Sequence, residues 1–157
     1  MSHIFAPWRK KYILSKQKDC FFCKAIKEKK DKKNLVLYRG KTAFVILNKF
    51  PYNAGHLMVA TYRHIGKIEK LRNCEIVEIM QLVKKMVILL KKKMNPQGFN
   101  IGINLGKIAG SGVEKHFHLH IVPRWQGDTN FMPMIAKTKV VSQSIKELYY
   151  QLKKHNK

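Results

Sequence analysis

Acidic residues are scarce in this chain of 157 amino acids: nine Asp and Glu stand against 32 Lys and Arg, giving a formal net charge of +23. A surface of this sign attracts polyanions. The lysines concentrate in segments that read as outer helix faces and a tail: Lys27–Lys33, Lys84–Lys93 and Lys153–Lys157. Because aromatic residues are not interleaved with them as on a single-strand binding surface, the charge favours anionic ligands and is weak evidence for DNA or RNA.

Long apolar runs are absent too. The longest, Met86–Leu90, is closed on both sides by lysines and is far shorter than the roughly 18 residues of a membrane span. The opening residues, Met1–Ile4, do not form a basic segment followed by an apolar one, so no secretory signal is visible. These absences predict a protein without membrane association.

Cysteine is equally rare. Cys20, Cys23 and Cys74 are too few for a disulfide framework, so a reducing cytoplasm is the expected location. The hydrophobic content of 45% is typical of a chain that folds around a core.

No internal repeat or low-complexity linker divides the chain. We therefore predict a single domain over residues 1–157, with a basic N-terminal arm (1–19) and a C-terminal extension (124–157). The expected strands are 35–38, 43–47, 56–60, 99–104 and a histidine-rich stretch at 116–122. The expected helices are 20–30, 73–94 and one that starts at a capping box, Ser144–Glu147. Hairpin-connected strands with helices between them indicate an α+β fold with an antiparallel sheet.

The long helix has a recognisable start and an apolar stripe. Asn73 is the expected N-cap, and Glu75 is favourably placed in the first turn. The stripe that we predict to face the core is Ile76, Ile79, Met80, Val83, Val87 and Leu90.

The most informative stretch holds three histidines, His116, His118 and His120, that alternate with apolar residues. In an extended strand their imidazoles emerge from one face, roughly 7 Å apart. Burying three imidazoles as inert core residues would demand six hydrogen-bond partners, so a functional site is the better interpretation. A zinc ion held by all three is an alternative, but three such positions on a straight strand do not converge on one ion. The pattern favours anion or phosphate chemistry.

A glycine-rich loop precedes this strand. Gly106, Gly110 and Gly112 allow backbone N–H groups to turn toward a phosphate, and Ser111 adds a hydroxyl donor. The loop thus supports the phosphate interpretation of the neighbouring histidines.

The pair Cys20 and Cys23 has the spacing of zinc ligands. His64 and His116 are the candidates for two further ligands. Two ordinary buried cysteines are the alternative.

The stretch His116–Val122 resembles the signature of the histidine-triad superfamily of nucleotide hydrolases and transferases. Leu47-Asn48, Pro51–His56, Asn104 and the glycine loop follow in that family's order. The cysteine pair with His64 resembles the zinc-bearing members. The segments 6–9 and 123–131 resemble a bacterial branch that includes diadenosine tetraphosphate phosphorylases.

This resemblance implies a histidine-triad fold, with an antiparallel sheet, one long helix and one C-terminal helix. It implies a homodimer that takes a nucleotide substrate, with a structural zinc and no organic cofactor. The metal ligands it implies are Cys20, Cys23, His64 and His116.

The resemblance also implies a role for each site residue. His118 would attack the α-phosphorus and form a nucleotidyl-histidine intermediate, while His120 and His56 would hold the α-phosphate oxygens. Ser111 and the backbone N–H groups near it would contact the scissile bridge or leaving group. The substrate-binding residues would be Asn48 at the ribose, Asn104 at the α-phosphate or leaving group, and Gly110 and Gly112 in the loop.

The expected activity is cleavage of dinucleoside polyphosphates such as diadenosine tetraphosphate, with phosphate or water as acceptor. One alternative is a nucleoside phosphoramidate or phosphosulfate hydrolase, which the same residues could serve. Another is a non-catalytic nucleotide or nucleic-acid binding protein, suggested by the charge. The three intact histidines argue against it.

Overall fold

The computed structural model describes residues 20–128 and 144–154. The arm at 1–19 and most of the C-terminal extension lie outside these residues. The helices are α1 (Phe21–Glu28), the single turn α2 (Asp31–Asn34), α3 (Asn73–Met94) and α4 (Ile145–Lys153), with a 3-10 turn at Ile68–Lys70. The strands are β1 (Val36–Arg39), β2 (Ala43–Leu47), β3 (Leu57–Thr61), β4 (Gly98–Gly102) and β5 (His118–Arg124). Arg124, assigned to the extension from the sequence, is thus the last residue of β5.

The five strands form one antiparallel sheet in the order β1-β2-β3-β5-β4, which confirms the predicted α+β class. Their register places one row of residues straight across the sheet: Val36, Ile46, Met58, His120 and Gly102. This row connects the histidine strand to the start of β1. Within the described segments, no helix is long and apolar enough to cross a bilayer.

The two faces of the sheet carry different cores. Phe117, Leu119 and Ile121 belong to the larger core, beneath α3 and α4. The smaller core, on the side of α1, includes Phe22 and Met58. Because side chains alternate along a strand, the histidines of β5 emerge on the α1 side, as their spacing predicts.

The start of α3 differs from the prediction. Arg72, not Asn73, is the N-cap residue, and its backbone N–H donates to the Glu75 carboxylate at 2.8 Å. The same carboxylate accepts bonds of 2.7 and 2.6 Å from the Arg63 guanidinium. Arg63, in an ion pair that no local pattern reveals, therefore binds the same carboxylate that caps the first turn.

The predicted apolar stripe of α3 is only partly buried. Ile79, Val83 and Leu90 lie in the core, whereas Ile76 and Met80 are 43% and 54% exposed. The apolar stripe is wider than the part of the helix surface that packs against the sheet. The residues at its outer edge, Ile76 and Met80, therefore face away from the sheet. The other buried apolar residues of α3 are Leu82, Met86 and Leu89.

We expect Glu75→Gln to destabilise the fold by about 1–3 kcal/mol at neutral pH, because it removes a buried charged partner of Arg63. The Arg63 hydrogen bonds lower the pKa of the Glu75 carboxyl. The stabilisation is therefore present above the ordinary pKa of Glu and is lost as pH falls through the lowered one.

Urea unfolding at pH 7 and near pH 3 measures this difference, with Glu69→Gln on the exposed 3-10 turn as the matched control. An equal loss of stability at both pH values, or an equal loss in the control, contradicts the assignment.

Candidate active site and metal site

His118 begins β5 and is nearly buried, with 6% of its surface exposed. Its Nδ1 lies 2.7 Å from the backbone carbonyl oxygen of His116. A carbonyl oxygen only accepts, so Nδ1 carries the proton and Nε2 keeps its lone pair. Burial lowers the pKa of His118, against the opposing effect of this hydrogen bond, so the ring is neutral near pH 7. The arrangement presents a neutral imidazole with a nucleophilic nitrogen.

A second hydrogen-bond chain orients His120. The backbone N–H of Tyr52 donates to Nδ1 of His56 at 3.0 Å, so the proton of His56 is on Nε2. That Nε2 lies 2.9 Å from Nδ1 of His120. His120 accepts there, which places its own proton on Nε2. The rings of His118 and His120 lie 5.0 Å apart, centroid to centroid, so a ring with an Nε2 lone pair is next to a ring with an Nε2–H.

A cavity of about 1200 Å³ opens beside these rings. The predicted site residues that line it are His118, His120, Asn48, Gly110 and Gly112. His56 is fully buried behind His120, and the Asn48 amide is held by the N–H of Phe50, which donates to Oδ1 at 2.8 Å.

Ser111 and Asn104, like His56, are not in the cavity lining. The backbone N–H of Ser111 donates to the carbonyl of Gly106 at 3.2 Å, within the loop. Asn104 lies beside Gly110, where an added Cβ would meet its amide nitrogen at 3.7 Å. Gly110 has a φ of +89°, a left-handed conformation that favours glycine and turns the loop.

Sequence reasoning missed two aromatic residues of the site. Tyr52 was given no role of its own within the stretch Pro51–His56, yet its ring stacks on His56 with centroids 4.9 Å apart. Phe22, fully buried, contacts the rings of both His116 and His118, at 4.9 and 5.1 Å. The only sequence signal was its place between Cys20 and Cys23.

Four metal-ligating side chains lie together next to the starts of α1 and β5: Cys20, Cys23, His64 and His116. Their ligand atoms lie within 4.8 Å of one another. The measured separations are 3.3 Å from Cys20 Sγ to His116 Nδ1, 3.2 Å from Cys23 Sγ to His64 Nδ1, and 3.2 Å between the two Nδ1 atoms. Ligands of a tetrahedral zinc are roughly 3.3–3.8 Å apart, as zinc–ligand bonds of about 2.0–2.3 Å require. The donor set and its spacing therefore fit zinc.

The second nitrogen of His116 supports the same interpretation. Its Nε2 lies 2.7 Å from the carbonyl oxygen of Thr61 and so carries the proton, which leaves the Nδ1 lone pair aimed at the other ligands. Burial lowers the pKa of His116 to about 4, so this ring is neutral near pH 7. Burial, with the neighbouring Cys20, raises the pKa of Cys23 to about 11. A bound cation would favour the thiolate that the site needs.

A family model described as the HIT domain matches residues 29–127. The chain belongs to the HIT family. It is 43% identical over 117 residues to an AP-4-A phosphorylase of Mycobacterium tuberculosis, covering 74% of this chain and 60% of that protein. It is 32% identical over 93 residues to a bis(5'-nucleosyl)-tetraphosphatase (asymmetrical) of Schizosaccharomyces pombe, covering 59% of this chain and 50% of that one. The chain thus spans half to about 60% of the length of these two relatives.

A HIT protein of known structure confirms the fold. The zinc-bound histidine triad family protein of Mycobacterium smegmatis matches with a TM-score of 0.71 at 23% identity, over 88% of this chain and 93% of that one. The histidine-triad fold expected from the sequence is therefore the fold observed.

We expect the purified protein to contain about one zinc per chain, and Cys23→Ser to lose it. Loss of a structural zinc should cost about 3 kcal/mol or more, which lowers the midpoint of thermal unfolding by roughly 6–12 °C in a domain of this size. Elemental analysis and thermal unfolding, with and without a chelator, measure both effects.

Cys74→Ser is the matched control, because Cys74 is exposed and outside the cluster. Equal zinc content in the two variants would contradict the assignment of Cys23 as a ligand.

Proposed function

We propose that the protein cleaves dinucleoside polyphosphates, such as diadenosine tetraphosphate, at the α-phosphorus through a covalent nucleotidyl-histidine. The observation that carries this proposal is the fixed tautomer of His118, whose Nε2 lone pair belongs to a ring that lines the cavity. The names of the two enzymatic relatives support the substrate class.

The proposed reaction has two displacements. Nε2 of His118 attacks the α-phosphorus, a P–N bond forms, and the P–O bond to the leaving phosphate chain breaks. Inorganic phosphate or water then attacks the same phosphorus, and the P–N bond breaks to regenerate the imidazole. The Nδ1–H bond to the His116 carbonyl stabilises the charge on His118 while it is nucleotidylated.

The other residues bind and orient the substrate in this proposal. The Nε2–H of His120 donates to an α-phosphate oxygen. His56, which the resemblance implied would hold a phosphate oxygen directly, is buried and outside the cavity lining, so in this proposal it holds His120 in that tautomer. Ser111, with the backbone at Gly110 and Gly112, contacts the scissile bridge or leaving group. Asn48 binds the ribose, and Asn104 orients the α-phosphate or leaving group.

The proposed zinc is structural, because Cys20, Cys23, His64 and His116 would fill all four positions of a tetrahedral ion. It would connect α1, which begins just after Cys20, to the segment that precedes β5. We assign no chemical step to it. The cytoplasmic location suggested by the few cysteines stays a prediction.

We also propose that the protein is a homodimer. β4 is an edge strand whose outer side pairs with no strand in the described parts of the chain, and its Ile101 is 45% exposed. Ile76 and Met80 of α3 are exposed as well. A symmetric partner that joins the two sheets at β4 would cover such residues.

Analytical ultracentrifugation should therefore give twice the mass of one chain, and Ile101→Lys should shift the protein toward monomer. Ile68→Lys, at an exposed apolar position on the 3-10 turn, is the control. A monomeric wild-type protein would contradict this proposal.

The experiment that tests the proposed activity is a product assay on diadenosine tetraphosphate with and without inorganic phosphate. ADP and ATP indicate phosphorolysis, and AMP and ATP indicate hydrolysis. Faster turnover of nucleoside phosphoramidates or phosphosulfates would favour that alternative. Tight oligonucleotide binding with a steep salt dependence and no turnover would favour a non-catalytic binding protein.

We expect His118→Asn to lower the turnover number about 1000-fold or more, because the amide nitrogen cannot act as a nucleophile. Mass spectrometry of the denatured wild-type enzyme during turnover should show a nucleotidyl adduct that the variant lacks. The variant should keep the wild-type zinc content, which controls for folding. Near-normal turnover by this variant would contradict the covalent mechanism.

A further inference from the structure

The cavity extends well beyond the residues assigned to the α-phosphate. Its volume of about 1200 Å³ exceeds the roughly 300–1000 Å³ that is typical of small-ligand sites. Its lining runs from His118 and His120 of β5 to the α2 turn and the helix α4. The end of the cavity that is lined by α2 and α4, called the distal end below, has no role in the reaction proposed above.

The register of the sheet gives the length of this cavity across the strands. Met58 and Ile46 connect His120 to Val36 in one row across the sheet, and strands lie about 4.8 Å apart. Val36 therefore lies roughly 14 Å from His120. The residues just before Val36 line the distal end, so the backbone of that end lies roughly 14 Å from the backbone of His120.

The middle and the distal end of the cavity differ in chemistry. Ile46 and Met58, which lie between His120 and Val36 in the row across the sheet, make the middle of the lining apolar, which suits a base or sugar ring. The cavity lining as a whole includes six lysines: Lys24, Lys30, Lys32, Lys33, Lys49 and Lys146. The one acidic residue in the lining is Asp31, whose carboxylate is bound by the Arg39 guanidinium at 2.7 and 3.0 Å. Its charge is therefore already compensated.

Three of the lysines at the distal end have no acidic partner. Lys33 lies 3.5 Å from the Glu28 carboxylate, but Lys30, Lys32 and Lys146 form no ion pair with any described residue. The ammonium of Lys32 lies over the Tyr150 ring, 5.1 Å from its centroid, a cation–π contact that keeps it beside α4. Positive charge from two separate chain segments thus meets at one end of the cavity.

We propose that Lys30, Lys32 and Lys146 form a second anion subsite, which binds a distal phosphate group of the same ligand whose α-phosphate lies at His118. This subsite rests on the proposed function and deepens it. The distal phosphate belongs either to the second nucleotide of a dinucleoside polyphosphate or to the ribose of the bound nucleotide. In both cases the subsite selects such ligands over simple mononucleotides.

Binding measurements test the subsite without turnover. In the His118→Asn background, titration calorimetry at fixed ionic strength gives Kd values for AMP, adenosine 3',5'-bisphosphate and diadenosine tetraphosphate. The test variant adds Lys30→Gln, Lys32→Gln and Lys146→Gln. The matched control adds Lys84→Gln, Lys91→Gln and Lys92→Gln on exposed positions of α3, which removes the same charge outside the cavity lining.

For a ligand with a distal phosphate, we expect the substitutions in the test variant to raise Kd about tenfold more than they raise the Kd of AMP. This is the size of effect that the loss of three exposed lysine–phosphate contacts would have. A selective loss for diadenosine tetraphosphate assigns the subsite to the second nucleotide. A selective loss for the bisphosphate assigns it to a ribose phosphate. Equal losses for all three ligands, no loss, or the same loss in the control overturn the subsite. If the cleavage assay shows no turnover, the proposed activity is contradicted. The ratios of Kd values still test the subsite in that case, because they are measured without turnover.

Discussion

The hydrogen bond from Nδ1 of His118 to the backbone carbonyl of His116 decides the chemical state of the candidate nucleophile. It fixes one tautomer and leaves Nε2 with its lone pair. The bond depends on β5 keeping its register, and that register is secured by Phe117 and Leu119 in the larger core. A slip of one residue would exchange the two faces of the strand and bury apolar side chains where imidazoles now stand. Core packing on one face therefore supports chemistry on the other.

Local patterns in the sequence predicted much of this arrangement. Strand alternation predicted that His118 and His120 share a face, although β5 begins at His118 and leaves His116, expected in the same strand, just before it. The strand β2 has the predicted bounds, Ala43–Leu47. The capping box at Ser144 is present, with the Glu147 N–H donating to the serine hydroxyl. These features depend on residues close together in the chain, so a pattern of period two or a four-residue motif was enough to find them.

Features that depend on tertiary contacts were not predictable in the same way. The tautomer of His120 depends on His56 and on the backbone of Tyr52, which reach it from another strand and a turn. The carboxylate of Glu75 that caps the start of α3 is also bound by Arg63, twelve residues earlier in the chain. The lysines at the distal end of the cavity come from α4 and from the segment between α1 and β1, and only the folded chain shows that they meet.

One residue, His116, links the two sites. The imidazole of His116 lies in the cysteine–histidine cluster, while its main-chain oxygen holds the neighbouring imidazole in position. Replacing the side chain at this position leaves the carbonyl in place but removes an anchor of the segment that carries it. A substitution of His116 is therefore expected to affect both the stability of the fold and the orientation of the candidate nucleophile.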